Sequence, residues 1–106
     1  MFNVKYHPEA ETEADELPVG IRVKYDKLVK KLEKDPRMLR EPDTKPLGDG
    51  LFEIRTLGNP VARGLWVYQK GNVIIMLRIF IKKTPKTPPS EIALAWQRLE
   101  EVKDAT

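Results

Sequence analysis

The sequence predicts an α+β fold in the order β-α-α-β-β-β-α, with a mainly antiparallel twisted sheet, a helical hairpin on one of its faces and a C-terminal helix closing part of the other. Three observations predict it. Apolar residues recur at helical spacing in both halves of the chain, three stretches in the second half read as strands, and only short turn sequences separate those strands.

Phe2, Val4 and Tyr6 alternate with Asn3 and Lys5, a period of two that ends at His7 and Pro8, so the chain opens on a strand. Pro8 suits the first turn of a helix, and Glu9, Glu11, Glu13, Asp15 and Glu16 follow with Ala10, Ala14 and Leu17 at helical spacing until Pro18. Ile21, Tyr25, Leu28, Val29 and Leu32 make the apolar stripe of a second helix, which Asp35 and Pro36 stop. Its other face carries Lys24, Lys27, Lys30, Lys31 and Lys34, which reads either as a solvated face or as a contact surface for nucleic acid. Pro42, Pro46, Gly48 and Gly50 make residues 37–50 a loop or a crossover.

Strands are then expected over residues 51–57, 62–69 and 72–81, joined by turns at Gly58-Asn59-Pro60 and Lys70-Gly71 into an antiparallel meander. The last is apolar enough to lie in the sheet centre with both faces covered. Residues 82–89 form a basic, proline-rich loop. Thr87 with Pro88 suits the cap and first position of a terminal helix, whose buried stripe is Ile92, Ala95, Trp96, Leu99 and Val102.

A chain of 106 residues, 41% of them apolar, has material for one core, so residues 1–106 are expected to form a single domain. With no cysteine there is no disulfide or thiolate chemistry, which fits a reducing cytosol. His7 is the only histidine; it leaves a zinc site or a His-based dyad without a second imidazole and suits a surface or capping position. No Walker loop or metal-ligand cluster is present, so neither metal nor cofactor is expected. Nothing at the N-terminus reads as a secretory signal, and the longest apolar run, residues 73–81, is about half of a membrane span. A cytoplasmic protein without membrane contact is the expectation.

Charge carries the functional signal. Residues 51–86 hold seven cations, Arg55, Arg63, Lys70, Arg78, Lys82, Lys83 and Lys86, against the single acid Glu53, so the segment is 7 − 1 = +6 while the whole chain is 19 − 16 = +3. Cations concentrated on a rigid sheet are the footprint of a polyanion grip. Strand parity puts Glu53 and Arg55 on one face, and Arg78 with Lys82 on a face with Ile74, Met76 and Phe80; it leaves open whether Arg63 or Trp66 and Tyr68 join them. Arg78, inside an apolar strand, must pair with an acid such as Glu53 or bind phosphate. Glu53 is then an orienting partner for arginine or a proton acceptor. Trp96 belongs to the core, whereas Trp66 is either core or a stacking platform for an RNA base.

Cleavage of RNA fits this residue set, because the nucleophile is the substrate's own 2′-OH. The protein then supplies in-line positioning, charge on the phosphorane and proton transfer. Arg and Lys can supply the charge. Neighbouring cations favour the neutral form of a lysine, which makes Lys82 and Lys83 candidates for proton transfer.

The run GLFEIR at residues 50–55, the next strand with Arg63, and LRIFIKKTPKTPPSEIALA at residues 77–95 resemble the HigB branch of the RelE/ParE toxin superfamily, the phage Gp49-like proteins. The resemblance spans residues 45–103 and is most specific at KKTPKTP. It implies a RelE-like fold and a toxin of a type II toxin-antitoxin system, a metal-independent, ribosome-dependent endoribonuclease that cuts translated mRNA. Its implied partners are the ribosome, mRNA, a HigA-like helix-turn-helix antitoxin and, through that antitoxin, operator DNA. Position by position it implies Arg55 and Arg63 as phosphate and transition-state ligands, Lys82 or Lys83 in proton transfer, and Arg78, Lys86 and Trp66 in RNA contact. Many relatives have histidine where this chain has Arg78, which moves proton transfer to lysine and arginine. ParE-like poisoning of gyrase and a non-enzymatic phage-derived binding module are the alternatives.

Overall fold

The structure is a computed structural model that describes residues 1–82 and 85–104. Its elements are β1 (Asn3–Tyr6), α1 (Pro8–Asp15), α2 (Val19–Lys34), a single 3₁₀ turn (Pro36–Met38), β2 (Thr44–Gly48), β3 (Leu51–Arg55), β4 (Val61–Gln69), β5 (Val73–Lys82) and α3 (Pro89–Asp104). No described helix is long and apolar enough to cross a membrane. The α+β class, the helical hairpin and the strand meander are as the patterning predicts.

The sheet has five strands in the order β1-β5-β4-β3-β2, antiparallel except for the parallel pair β1 and β5. One face buries Tyr25, Leu28 and Leu32 of α2 against Ile54, Trp66, Ile74, Met76 and Ile79. The other buries Ala95 of α3, flanked by Ile92, Trp96 and Leu99, against Leu51, Leu65, Val67, Ile75, Leu77 and Phe80. On the α2 face the approach is close at Gly64, where an added Cβ would stand 2.9 Å from Met76 Sδ and 3.2 Å from Ile54 Cγ1.

Three expectations need correction. Residues 37–50 are not all loop, since β2 pairs with β3; as an edge strand it tolerates Pro46. The sheet centre is β4, with β5 between it and β1. A bulge opposite Leu65 and Trp66 inserts Leu77 into β5, so Ile74 and Met76 face α2 while Phe80 faces α3. That shift also separates Arg78 from Ile74 and Met76.

β1 stops beside Met76, and α1 takes over the edge of β5 beyond it. Glu13 of α1 accepts the Ile79 N–H at 3.0 Å, replacing the missing strand partner. Arg98 of α3, nearly buried, donates to Glu13 at 2.8 and 2.9 Å, to Glu9 at 3.0 Å and to the Leu77 carbonyl at 3.0 Å. His7, also buried, caps α1 by accepting the Glu9 N–H at 3.0 Å and sits 2.7 Å from Glu101. It is a capping residue but not a surface one.

Burial pushes the Glu13 carboxyl up, yet the hydrogen bonds from Arg98 and Ile79 and the Arg78 charge outweigh it and hold the group below its ordinary value. A carboxyl lowered by folding stabilises above its unfolded pKa, and that contribution is lost as pH falls through the folded value. The stability gap between wild type and Glu13→Gln is therefore expected to shrink as pH falls below the ordinary glutamate range. Chemical denaturation across an acid series measures it; a constant gap contradicts the assignment.

Candidate active site

The register of the sheet brings the sequence-predicted cations together. Arg55 on β3 pairs with Arg63 on β4, Arg63 pairs with Phe80 on β5, and Val61 pairs with Lys82, so parity puts Arg55, Arg63, Phe80 and Lys82 on the α3 face. Beyond the end of α3 that face stays open as a cleft of about 550 Å³, lined by Arg55, Thr56, Gly58, Asn59, Arg63, Lys82 and Pro85. One wall is the β3–β4 turn. It is tied down by Thr56, whose N–H donates to the Ala62 carbonyl at 3.0 Å and whose Oγ1 accepts the Ala62 N–H at 2.9 Å, and by Lys24 Nζ, which donates to the Leu57 carbonyl at 3.1 Å.

The cations play different parts there. Arg55 is partly exposed, its side chain 28% accessible, with Nε donating to the Pro42 carbonyl at 3.3 Å and Nη1 3.8 Å from Glu53 Oε1. Arg63 is only 2% exposed; it donates to Thr87 Oγ1 at 3.1 Å and to the Pro85 carbonyl at 2.9 Å. Glu53 is 1% exposed, and Thr87 Oγ1 donates to its Oε2. One hydroxyl thus links a buried carboxylate to a buried guanidinium and pins the loop before α3 onto the sheet.

Thr87 was legible only as a helix cap. The helix instead begins at Pro89, with the Glu91 and Ile92 amides donating to the Pro88 carbonyl, which frees the threonine hydroxyl for Glu53. Nothing in KKTPKTP distinguishes its two threonines. Thr87→Val is expected to cost about 1–3 kcal/mol by stranding two buried polar groups, and Thr87→Ser to restore most of it. Chemical denaturation of the pair checks this, and equal stability of the valine variant would contradict the link.

Two expected RNA contacts are corrected. Trp66 is 2% exposed and stacks on Phe52 at 4.8 Å inside the α2-side core, out of reach of any base. Arg78 does not pair with Glu53; it bonds Glu91 through two 3.1 Å hydrogen bonds and also donates to Glu13. Both acids sit at the β5 edge where α1 and α3 meet, so the guanidinium is already neutralised by two carboxylates. Lys86 lies exposed on the loop. Lys83 lies outside the described residues.

Residues 12–100 match a family model described as phage derived protein Gp49-like. A double arginine-to-alanine mutant of the E. coli toxin RelE, in the free state, superposes with a TM-score of 0.62 at 13% identity, covering 94% of this chain and 95% of that one. A chain of the archaeal RelE-RelB complex from Pyrococcus horikoshii OT3 is also similar, with a TM-score of 0.58 at 23% identity over 76% of this chain and 93% of that one. No curated protein matches the sequence.

Proposed function

Because the chain belongs to the phage-derived Gp49-like family and has the fold of RelE, we propose that it is a HigB-type toxin of a toxin-antitoxin system, an endoribonuclease that cuts mRNA on the ribosome. The observation that carries this reading is the convergence of Arg55, Arg63 and Lys82 on one open cleft with Glu53 buried behind it. The archaeal neighbour forms a complex with RelB, which supports an antitoxin partner; a HigA-like helix-turn-helix protein is the proposed one, and through it the toxin would reach operator DNA.

In this reading the scissile phosphate enters the cleft and Arg55 binds its non-bridging oxygens. The 2′-OH on the 5′ side attacks in line, a P–O bond to the 2′ oxygen forms and the P–O5′ bond breaks. A 2′,3′-cyclic phosphate and a free 5′-OH result. The 2′ proton must be taken up and the 5′ oxygen protonated. Lys82, on the same face as Arg55, is assigned to proton transfer, with Lys83 of the same motif as its companion. Glu53 orients Arg55, while Arg63, bound to Thr87 and Pro85, holds the loop that walls the cleft.

Purified protein added to a cell-free translation reaction tests the proposal by mapping mRNA 5′ ends. New ends are expected in translated message and not in the same message with its start codon removed. Intact mRNA with early collapse of DNA supercoiling in expressing cells would replace the proposal with gyrase poisoning.

A further inference from the structure

The lysines of α2 are segregated in a way that a merely solvated face does not require. Lys24, Lys27, Lys31 and Lys34 follow at spacings of three, four and three residues, so they form one stripe, and all are exposed. Like charges at those spacings repel. None of the four lies within ion-pair distance of a carboxylate among the described residues, whereas Arg22, Arg37, Arg78 and Arg98 are all paired. The two acids of α2 do not relieve them: Asp26 is bonded to Arg22, and both Asp26 and Glu33 lie near Tyr6, on the β1 side.

The stripe is also continuous with the cleft. Arg55, Thr56 and Leu57 line the cleft on one side and, on the other, a second hollow of about 290 Å³ with Lys24, Lys27 and Lys31. A third, of about 390 Å³, continues it with Lys31, Lys34 and Arg40. Among the described residues, Asp43 is the single acid lining either hollow. From Lys24 to Lys34 the helix rises about 15 Å, room for a few consecutive phosphates of a single strand.

We propose that this groove carries the single-stranded RNA flanking the cleaved phosphate, its backbone lying along the α2 lysines. The inference rests on the nuclease reading, because Arg55 joins the groove to the reacting cleft. A strand with one phosphate at Arg55 would continue through the hollow that Arg55 shares with Lys24, Lys27 and Lys31. An acidic protein segment would meet the same charges, but nothing would then tie it to Arg55.

The test measures binding of uncleavable 2′-O-methyl RNAs of about twelve and about four nucleotides to the full chain and to Lys27→Gln/Lys31→Gln/Lys34→Gln over a salt series. These side chains are exposed, and circular dichroism checks the fold. For the long RNA the variant is expected to bind about 10- to 100-fold more weakly at low salt, with a log-log salt slope shallower by about 2. The short RNA is expected to bind both proteins alike. Equal binding of the long RNA, an equal loss for the short one, or no RNA binding by wild type overturns the proposal. So does a twelve-residue oligoglutamate bound as tightly as the long RNA, with the same loss in the variant, which would assign the groove to an acidic protein. Stripe-dependent RNA binding without cleavage of translated mRNA would remove the nuclease reading and leave the groove assigned.

Discussion

Arg55→Ala is expected to lower mRNA cleavage about 10²- to 10³-fold, the scale on which a single donor to a developing oxyanion acts. Of the two arginines described in the cleft, Arg55 is the one that is both partly exposed and only loosely held, by a 3.3 Å bond to Pro42 and a 3.8 Å approach to Glu53. Its removal leaves the buried Glu53 carboxylate with the Thr87 hydroxyl and, through it, Arg63, but without the direct Arg55 contact, so a stability loss of about 1–3 kcal/mol is expected alongside. Arg55→Lys separates the two effects. It returns a charge beside Glu53 and should recover most of the stability, while a lysine cannot reproduce the planar fork that grips two phosphate oxygens, so cleavage should recover only in part. Cleavage in a translation reaction and denaturant midpoints read the two quantities; a fully active Arg55→Ala protein would remove Arg55 from the reaction.

Arg63→Ala is expected to act in the opposite order, on the fold before the chemistry. This arginine is buried, and its guanidinium bonds Thr87 and Pro85, so truncation leaves a cavity, releases the Pro85 carbonyl and leaves a Glu53–Thr87 pair without the adjoining charge. Breaking such a buried charged arrangement costs about 3–5 kcal/mol, a large part of the stability of a small domain. Toxicity should vanish with it, through loss of the folded protein and of the loop position. Urea denaturation with wild-type stability would show that the loop does not depend on Arg63.

The elements legible in the sequence were those with periodic apolar patterns. The stripe of Tyr25, Leu28 and Leu32 marks a helix packed on the sheet, and the run from Val73 to Ile81 marks a strand covered on both faces. What escaped depended on topology. Nothing in the sequence shows that β1 lies parallel to β5 and stops at Met76, and this brings Glu13 to the β5 edge and to Arg78. Nor does any residue type mark the extra Leu77 that reverses the parity of β5. Pro46 and its neighbouring glycines matched loop chemistry because an edge strand needs only one hydrogen-bonded side. The cluster of Arg55, Arg63 and Lys82 was named from charge and from a family resemblance. Its register was not, and neither was the role of Thr87 in joining Glu53 to Arg63.

The most direct measurement is side-chain NMR of the arginine Nε–Hε groups during titration with an uncleavable RNA. A scissile phosphate held in the cleft predicts a saturable shift of the Arg55 signal, with those of Arg78 and Arg98 unmoved because carboxylates already hold them. A shift at Arg78 with Arg55 unchanged would contradict it, placing the anion at the β5 edge and leaving the cleft without its proposed occupant.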